Sequence, residues 1–551
     1  MGAVEERHIR PRRQETLGLK GHLLAVAAAV AVVAAIGPGG DFPLSDDWSY
    51  AHSARTLCES GRLDILPWTG ASMVLQAWYG AALCRIFGFS FEVLRASTLV
   101  LAVVGGLGFL LLAARAGLGR RASLLACVVF ALGPLYLNLS FTFMTDVPFT
   151  VLLLWSAYFY ATGIEEERPG PLLWAALLCA ASVLVRQHGI FLALAASAAI
   201  ISSRPRSPAR AAAALAAPLA TLLVFHIWLF FFHGPPAGIE NKVSELYAAR
   251  PTVIANSAFR ALEYLGLLLA PVSAALAASL RTKWRHVAAL AAALALVAGF
   301  LYRREGALMF YLTNLLYDWG LGALTLRDAL FLGLGPPLSL GKGAAVALTV
   351  SATVSAAALL VAWSQAGARK TPVKRFLLLA AVFLFAGSLL HAGFYFDRYL
   401  LPVLPFAAAS ALAVSPRLRP SAPAWVLAVA VAGYSVAGTH DYMAWNRARH
   451  QAVGWLHARG AVPEEIDGGM EYNAWHLAAG SGSWPTKEEA RPGQEDSKKS
   501  WWWVADDRYV LSFRPLAGYS QINSFAHSRW LAPGGGSVLV LKRVSRDSPE
   551  P

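Results

Sequence analysis

The sequence predicts an all-α polytopic membrane protein with a small α/β domain at its C-terminal end. Three observations carry this. The 551 residues are 56% hydrophobic and only 15% charged, against about 25% charged in ordinary soluble domains. The deficit is gathered into apolar stretches close to the roughly 20 residues a helix needs to cross hydrocarbon. After His440 the composition turns polar and mixed.

The elements follow in order. Met1–Lys20 is basic, and an apolar run from Gly21 to Ile36 follows it. With no clear small-residue cleavage site before Gly37, this run is expected to stay as a signal anchor. Further spans are expected at 93–113, 122–140, 145–162, 171–186, 189–202, 209–232, 258–280, 285–302, 342–364, 374–394, 398–414 and 422–439, about thirteen in all. The basic residues fall in every second loop. Arg7, Arg10, Arg12, Arg13 and Lys20 open the series, Arg115, Arg120 and Arg121 continue it, and Arg417 and Arg419 close it. Lys and Arg are retained on the cytoplasmic side. The N-terminus is therefore expected in the cytoplasm and the tail outside the inner membrane. The +14 charge reads as topology, so a nucleic-acid partner is not expected.

Outward loops 38–92, 233–257 and 303–341 are long and hold acids, aromatics and histidines, whereas the inner loops are too short to build a site. No internal repeat with matching broken helices marks a secondary transporter. The expected division is a transmembrane module at 1–440 and an outward domain at 441–551. In that domain DYMAWNRARHQAVGWLHARG and EYNAWHLAAG read as helices, and EEIDGG as a short strand and turn. WWWVADDRYVLSF, GYSQINSFAHSRW and GGGSVLVLKRV read as strands, and PTKEEARPGQEDSKKS as a charged loop. No catalytic constellation stands in it, so the domain reads as a lid or binding module. Cys58, Cys84, Cys127 and Cys179 fit no metal or redox spacing; a Cys58–Cys84 bridge and free thiols both remain open.

Asp46 and Asp47 stand just beyond the first span. Adjacent carboxylates repel, which raises one pKa and suits one of them to general-base work; together they could also hold a divalent cation. The alternative is a helix cap for a helix beginning at Trp48. Asp146 opens a later span at its outer end, with a cap again the alternative. Arg186 and His188 end another, and Asp397, Arg398 and Tyr399, with His391 just upstream, open another. All converge on one face by the derived topology. Interface anchoring by snorkelling is the alternative for the arginines, and an aromatic belt for Trp68, Trp78, Tyr302, Tyr311 and Tyr317. Guanidinium groups grip phosphate bidentately, and a polyprenyl lipid keeps its phosphate at headgroup depth.

Four stretches carry a family resemblance: SDDWSYAHSARTLCESG; FGFSFEVLRASTLVLAVVGGLGFLLLAARAGLGRRASLLACVVFALGPLYL with its Arg95; FMTDVPFTVLLL followed by LVRQHGIF; and DRYLLPVLPFAA. On these the chain resembles the GT-C superfamily of membrane glycosyltransferases, in the branch of protein O-mannosyltransferases and lipid A aminoarabinose transferases. The resemblance implies a GT-C-like fold and inverting transfer of a sugar from a polyprenyl-phosphate donor to an acceptor at the outer surface. It implies that Asp46 is the catalytic or metal-proximal aspartate, that Asp47 sits where many members have Glu, and that Asp146 is the second acidic position. Arg186, His188 and Arg398 become candidates for the donor phosphate, and Tyr50, Trp68, Gln76 and Tyr399 for substrate contacts. The stretch LPWTGASMVLQAWYGAAL lacks an acid some relatives use to hold metal, which leaves cation dependence open. No cofactor motif appears, so a nucleotide-sugar donor is not expected. A transporter or flippase without covalent chemistry and a scaffold are the competing readings. The sugar and the acceptor are not legible, and Ala-, Arg- and Gly-rich usage fits a bacterium with GC-rich DNA.

Overall fold

A computed structural model describes residues 19–203, 206–310, 312, 314–326, 340–365, 371–415, 418–481 and 506–544. The N-terminal basic residues up to Arg13, Tyr311, Arg417 and the charged loop at 485–500 lie outside the described residues.

The chain opens with α1 (Leu19–Ile36), two helices of the first loop, α2 (Asp47–Ser60) and α3 (Val74–Phe87), and the long α4 (Phe91–Arg115). Gly61 and Gly88 end α2 and α3 at positive φ, and the Ser90 hydroxyl caps α4 by accepting the Glu92 N–H, as helix ends require. α5 (Arg120–Ala131) and α6 (Pro134–Ser140) form an apolar pair bent by 56°. The cause is local: Pro134 has no N–H to continue the ladder. α7 (Asp146–Glu166), α8 (Pro169–Val183), α9 (Ile190–Ile201) and α10 (Pro208–Trp228) follow, then α11 (Ala237–Ala248). α12 (Pro251–Leu268) and α13 (Ala270–Leu276) bend by 68° where Pro271 intervenes. α14 (Trp284–Glu305), α15 (Gly341–Ser364), α16 (Pro372–Ser388), α17 (Leu404–Leu412) and α18 (Ala422–His457) complete the bundle.

Small residues let these helices approach. Gly105 faces Tyr136 and Val151, and Gly163 faces Leu172. The outer surface is apolar: α14 buries none of its side chains, and Phe231, Phe232 and Leu296 are more than three-quarters exposed. Such a surface is stable only in lipid, and the chain is a multi-pass membrane protein. Among the described residues seven helices are long and apolar enough to cross alone, nine spans if each bent pair counts as one, with shorter apolar helices at 23–36, 169–183 and 187–201. The expected count of about thirteen is lowered most plainly at 398–414. There only the nine residues of α17 are α-helical, about 14 Å at 1.5 Å per residue, half a bilayer.

The expected domain boundary at 440 falls inside α18. Its 36 residues run about 54 Å, so one rod passes from the bundle into the C-terminal domain. There a four-stranded sheet in the order β3 (Ile466–Asp467), β4 (Tyr509–Ser512), β6 (Gly536–Arg543), β5 (Tyr519–His527) packs on it. β3 and β4 are parallel, and the other pairs antiparallel. Val538 and Val540 share a core with Trp445 and Leu456. α19 (Met470–Ser481) closes the domain, and a two-residue hairpin, β1 (Leu316–Tyr317) with β2 (Gly320–Leu321), lies against α18. Tyr317 is thus a hairpin residue rather than part of a belt. All four cysteines are free.

Candidate functional site

The site gathers where α2, α7 and the 397–400 turn meet. Asp46 occupies the cap position of α2 but makes no capping bond. Its carboxylate instead accepts Arg398 Nη2 at 2.8 Å and Trp68 Nε1 at 3.1 Å. Asp146, wholly buried at the start of α7, likewise makes no capping bond, and Thr145 before it makes none either. It accepts Arg186 Nη2 at 2.8 Å, while Arg186 Nε donates to the Thr145 hydroxyl at 2.8 Å. The capping alternative therefore fails at both aspartates.

The two ion pairs form one electrostatic cluster around two phenols. Burial pushes Tyr50 up to about 12, with Arg186 and Arg398 pulling it down and Asp46 and Asp146 pushing it up. The same four charges act on Tyr399, whose pKa burial also raises. Burial works against the Arg398 charge, but Asp46 and then Asp146 outweigh it and raise its pKa above the ordinary value. Arg398 is nearly enclosed, and its Nε and Nη1 have no partner, nor has Asp146 Oδ1. Unsatisfied charged donors in a buried place are costly to leave unmade, and the chemistry they suit is an oxyanion.

A small half-open cleft adjoins the cluster, lined by Arg186, His188, Ser388, His391 and Tyr399 with Phe149 and Leu384. The His391 ring lies between those of His188, at 4.8 Å between centroids, and Tyr399, at 4.7 Å.

Two expected site residues face elsewhere. Asp47, 2% exposed, turns inward. It accepts Leu44 N at 2.7 Å and Phe143 N at 3.1 Å, so both oxygens pin backbone. Its pKa does rise, to about 7, chiefly from burial, against the pull of those donors and Arg95 and with Glu471 pushing it up. Gln76 is buried and donates to the Phe143 carbonyl at 3.0 Å, a helix-to-loop tie rather than an open substrate contact. Asp397, next to Arg398, is also structural: it accepts the Leu315 and Leu316 N–H groups. Arg95 holds the loop before Asp46 through the carbonyls of Pro38, Gly40, Phe42 and Phe141.

The donor set does not fit a bound divalent cation. Asp46 and Asp146 each already face a guanidinium, and among the described residues no three His, Cys, Asp or Glu side chains converge. Glu263 escaped sequence reading. It is fully buried inside α12, where its carboxylate accepts the Thr353 hydroxyl at 2.8 Å.

The fold and this cluster define a class: a multi-pass membrane protein with paired carboxylates and guanidiniums buried at one end of its bundle. Residues 73–231 match the family described as dolichyl-phosphate-mannose-protein mannosyltransferase, a stretch that includes Asp146, Arg186 and His188 but neither Asp46 nor Arg398. The chain is similar to GT-C membrane glycosyltransferases of the branch named from its motifs. No curated protein matches it. Among solved structures it is similar to ArnT from Cupriavidus metallidurans bound to undecaprenyl phosphate, with TM-score 0.40 and 14% identity over 96% of this chain and 99% of that one. It is also similar to the oligosaccharyltransferase AglB from Archaeoglobus fulgidus in complex with an inhibitory peptide and a dolichol-phosphate, with TM-score 0.37 and 15% identity over 76% of this chain and 55% of that one. A third is the arabinofuranosyltransferase AftD from Mycobacteria, with TM-score 0.36 and 14% identity over 82% of this chain and 30% of that one. Likenesses this loose transfer no residue roles.

Proposed function

We propose that the chain is an inverting glycosyltransferase that takes a sugar from a polyprenyl-phosphate donor to an envelope acceptor at the outer face of the membrane. The observation that carries this reading is the pair of unpartnered N–H groups on Arg398, beside the carboxylate of Asp46. The guanidinium grips the donor phosphate while Asp46 serves as general base. An acceptor hydroxyl loses its proton to Asp46, and its oxygen bonds to the sugar C1. The C1–O bond to phosphate breaks, and polyprenyl phosphate leaves with the electron pair, its charge met by Arg398 and Arg186. Tyr50, Trp68 and Tyr399 line the sugar, and His188 stands beside the phosphate. Asp146 keeps Arg186 oriented. In this reading the N-terminus is cytoplasmic and residues beyond α18 lie outside, as the alternation of basic loops supports.

The test is lipid mass spectrometry of a strain lacking the protein, complemented with wild type or with Asp46→Asn. Loss of the base predicts an accumulating polyprenyl-phosphate sugar and an unmodified acceptor, with transfer lowered about 10²–10⁴-fold. Normal transfer by an inserted, folded Asp46→Asn protein rules the reading out. Substrate uptake into proteoliposomes without covalent product favours the transporter instead.

A further inference from the structure

The loop that carries Asp46 is held from the far end of the chain. Ser45 stands at φ +56°, a left-handed conformation that residues with a Cβ avoid. Its N–H donates to Glu471 Oε1 at 3.2 Å. The second oxygen of Glu471 accepts the Thr325 hydroxyl and Arg449 Nη1, the latter at 2.6 Å. Arg449 Nη2 reaches back to the Pro43 carbonyl at 3.2 Å. Side-chain exposure is 3% for Arg449 and nil for Glu471. One buried ion pair, built from α18 and α19, thus clasps the residues two and four positions away from Asp47 on the side that leads into Asp46. On the other side Asp47 anchors the start of α2.

A buried ion pair is weak evidence for stability, since well-packed apolar side chains often do as well. What apolar side chains cannot do is accept the Ser45 N–H in its left-handed turn. We propose that Glu471 and Arg449 are positioning residues for Asp46: they set the backbone turn that aims its carboxylate at Arg398. The inference rests on the proposed function and extends it, because it makes the C-terminal domain a working part of the site instead of a lid or an appended module.

The test uses the full-length protein. Transfer is read by lipid mass spectrometry in complemented cells, and phosphate binding by titrating undecaprenyl phosphate into the purified protein in nanodiscs. Glu471→Gln is expected to lower transfer about 10- to 50-fold, since small misplacements of a reacting group carry losses of this order. The change leaves the buried Arg449 guanidinium without its carboxylate, so less folded protein is expected and transfer is read per folded molecule, while the affinity for undecaprenyl phosphate stays within about twofold of wild type. In an Asp46→Asn background the same change adds nothing, because there is no longer a carboxylate to aim. If Glu471→Gln fails to accumulate, Arg449→Lys carries the same readings, as it keeps the charge and drops the bond to Pro43. Wild-type transfer by these variants, alongside an inactive Asp46→Asn, overturns the inference and leaves the proposed function standing. An equal further loss in the double variant marks a general structural role and also overturns it. Normal transfer by Asp46→Asn alone overturns both.

Discussion

Replacing Arg398 by lysine separates charge from geometry at the heart of the site. Arg398 spends Nη2 on Asp46 and keeps Nε and Nη1 inside the protein without partners. Once reached, each of these buried nitrogens could donate a charge-assisted bond to a phosphate oxygen, worth about 1.5–3 kcal/mol. Lysine still neutralises Asp46 through a single ammonium but has no further nitrogens to offer a phosphate. Taking the lower value for both lost bonds gives about 3 kcal/mol, or roughly 100-fold in affinity. The assay is a titration of undecaprenyl phosphate into the full-length protein in nanodiscs, followed by tryptophan fluorescence, since Trp68 hydrogen-bonds Asp46. Arg398→Lys is expected to raise Kd about 100-fold while the thermal midpoint moves little. A Kd within about threefold of wild type, with folding intact, refutes the reasoning, because the guanidinium would then face something other than the donor phosphate. Arg398→Ala is the less informative variant: it strands the largely buried Asp46 carboxylate without a partner, and lost binding would mix with lost structure.

Three further outcomes follow from the same geometry. Asp47→Asn leaves one of the Leu44 and Phe143 N–H groups facing an amide NH₂, so about 1–3 kcal/mol of stability is lost. Thermal melting and membrane yield fall, while transfer per folded molecule changes far less than in Asp46→Asn; equal losses in both variants would sink the distinction. Burial raises Asp47 and Asp397 to about 7, above the unfolded value of about 3.9. The folded state therefore binds more protons between these values. Stability is full below the lower one and is lost as pH rises through 7, so the melting temperature in detergent should fall between pH 5 and pH 8, and a flat or rising profile contradicts this. Gly266→Ala puts a Cβ 2.3 Å from the Ala352 carbonyl oxygen and 2.7 Å from Ala356 N. Both neighbours are backbone, so α12 and α15 must separate at a cost of about 1–3 kcal/mol, seen as a lower melting temperature; an unchanged midpoint would mean the two helices yield without cost.

The membrane-spanning character was legible because the bilayer imposes its own length on apolar runs, though not the count, since several runs fold into helices too short to cross alone; the tail was legible because its turn residues cut it into short strands. The expected ionisable residues, Asp46, Asp146, Arg186 and Arg398, were legible because charge in apolar context is rare enough to stand out. Their pairing was not. Nothing in the order of the residues says that Asp46 meets Arg398 and Asp146 meets Arg186, for each bond spans two elements far apart in the chain. Glu471 and Arg449 were hidden for another reason: in a polar tail they read as ordinary surface residues, and only the fold buries them. Glu263 was a lone acid inside an expected span, and its partner Thr353 carries no charge to signal it.

Asp46 and Asp47 are identical neighbours with different surroundings, and the reason is rotational. Successive residues at a helix start are turned by about 100° from each other. One carboxylate can then point into the packed wall while its neighbour points toward the guanidinium cluster. Asp47 takes the wall, where the Leu44 and Phe143 N–H groups meet it. Asp46 takes the other side, where Arg398 and Trp68 meet it and 18% of its side chain stays exposed. A carboxylate whose oxygens both face backbone N–H groups inside the wall has no oxygen turned toward an incoming hydroxyl. The inward residue therefore builds the turn, and the outward one is left for chemistry, a division of labour that two identical letters in a sequence cannot express.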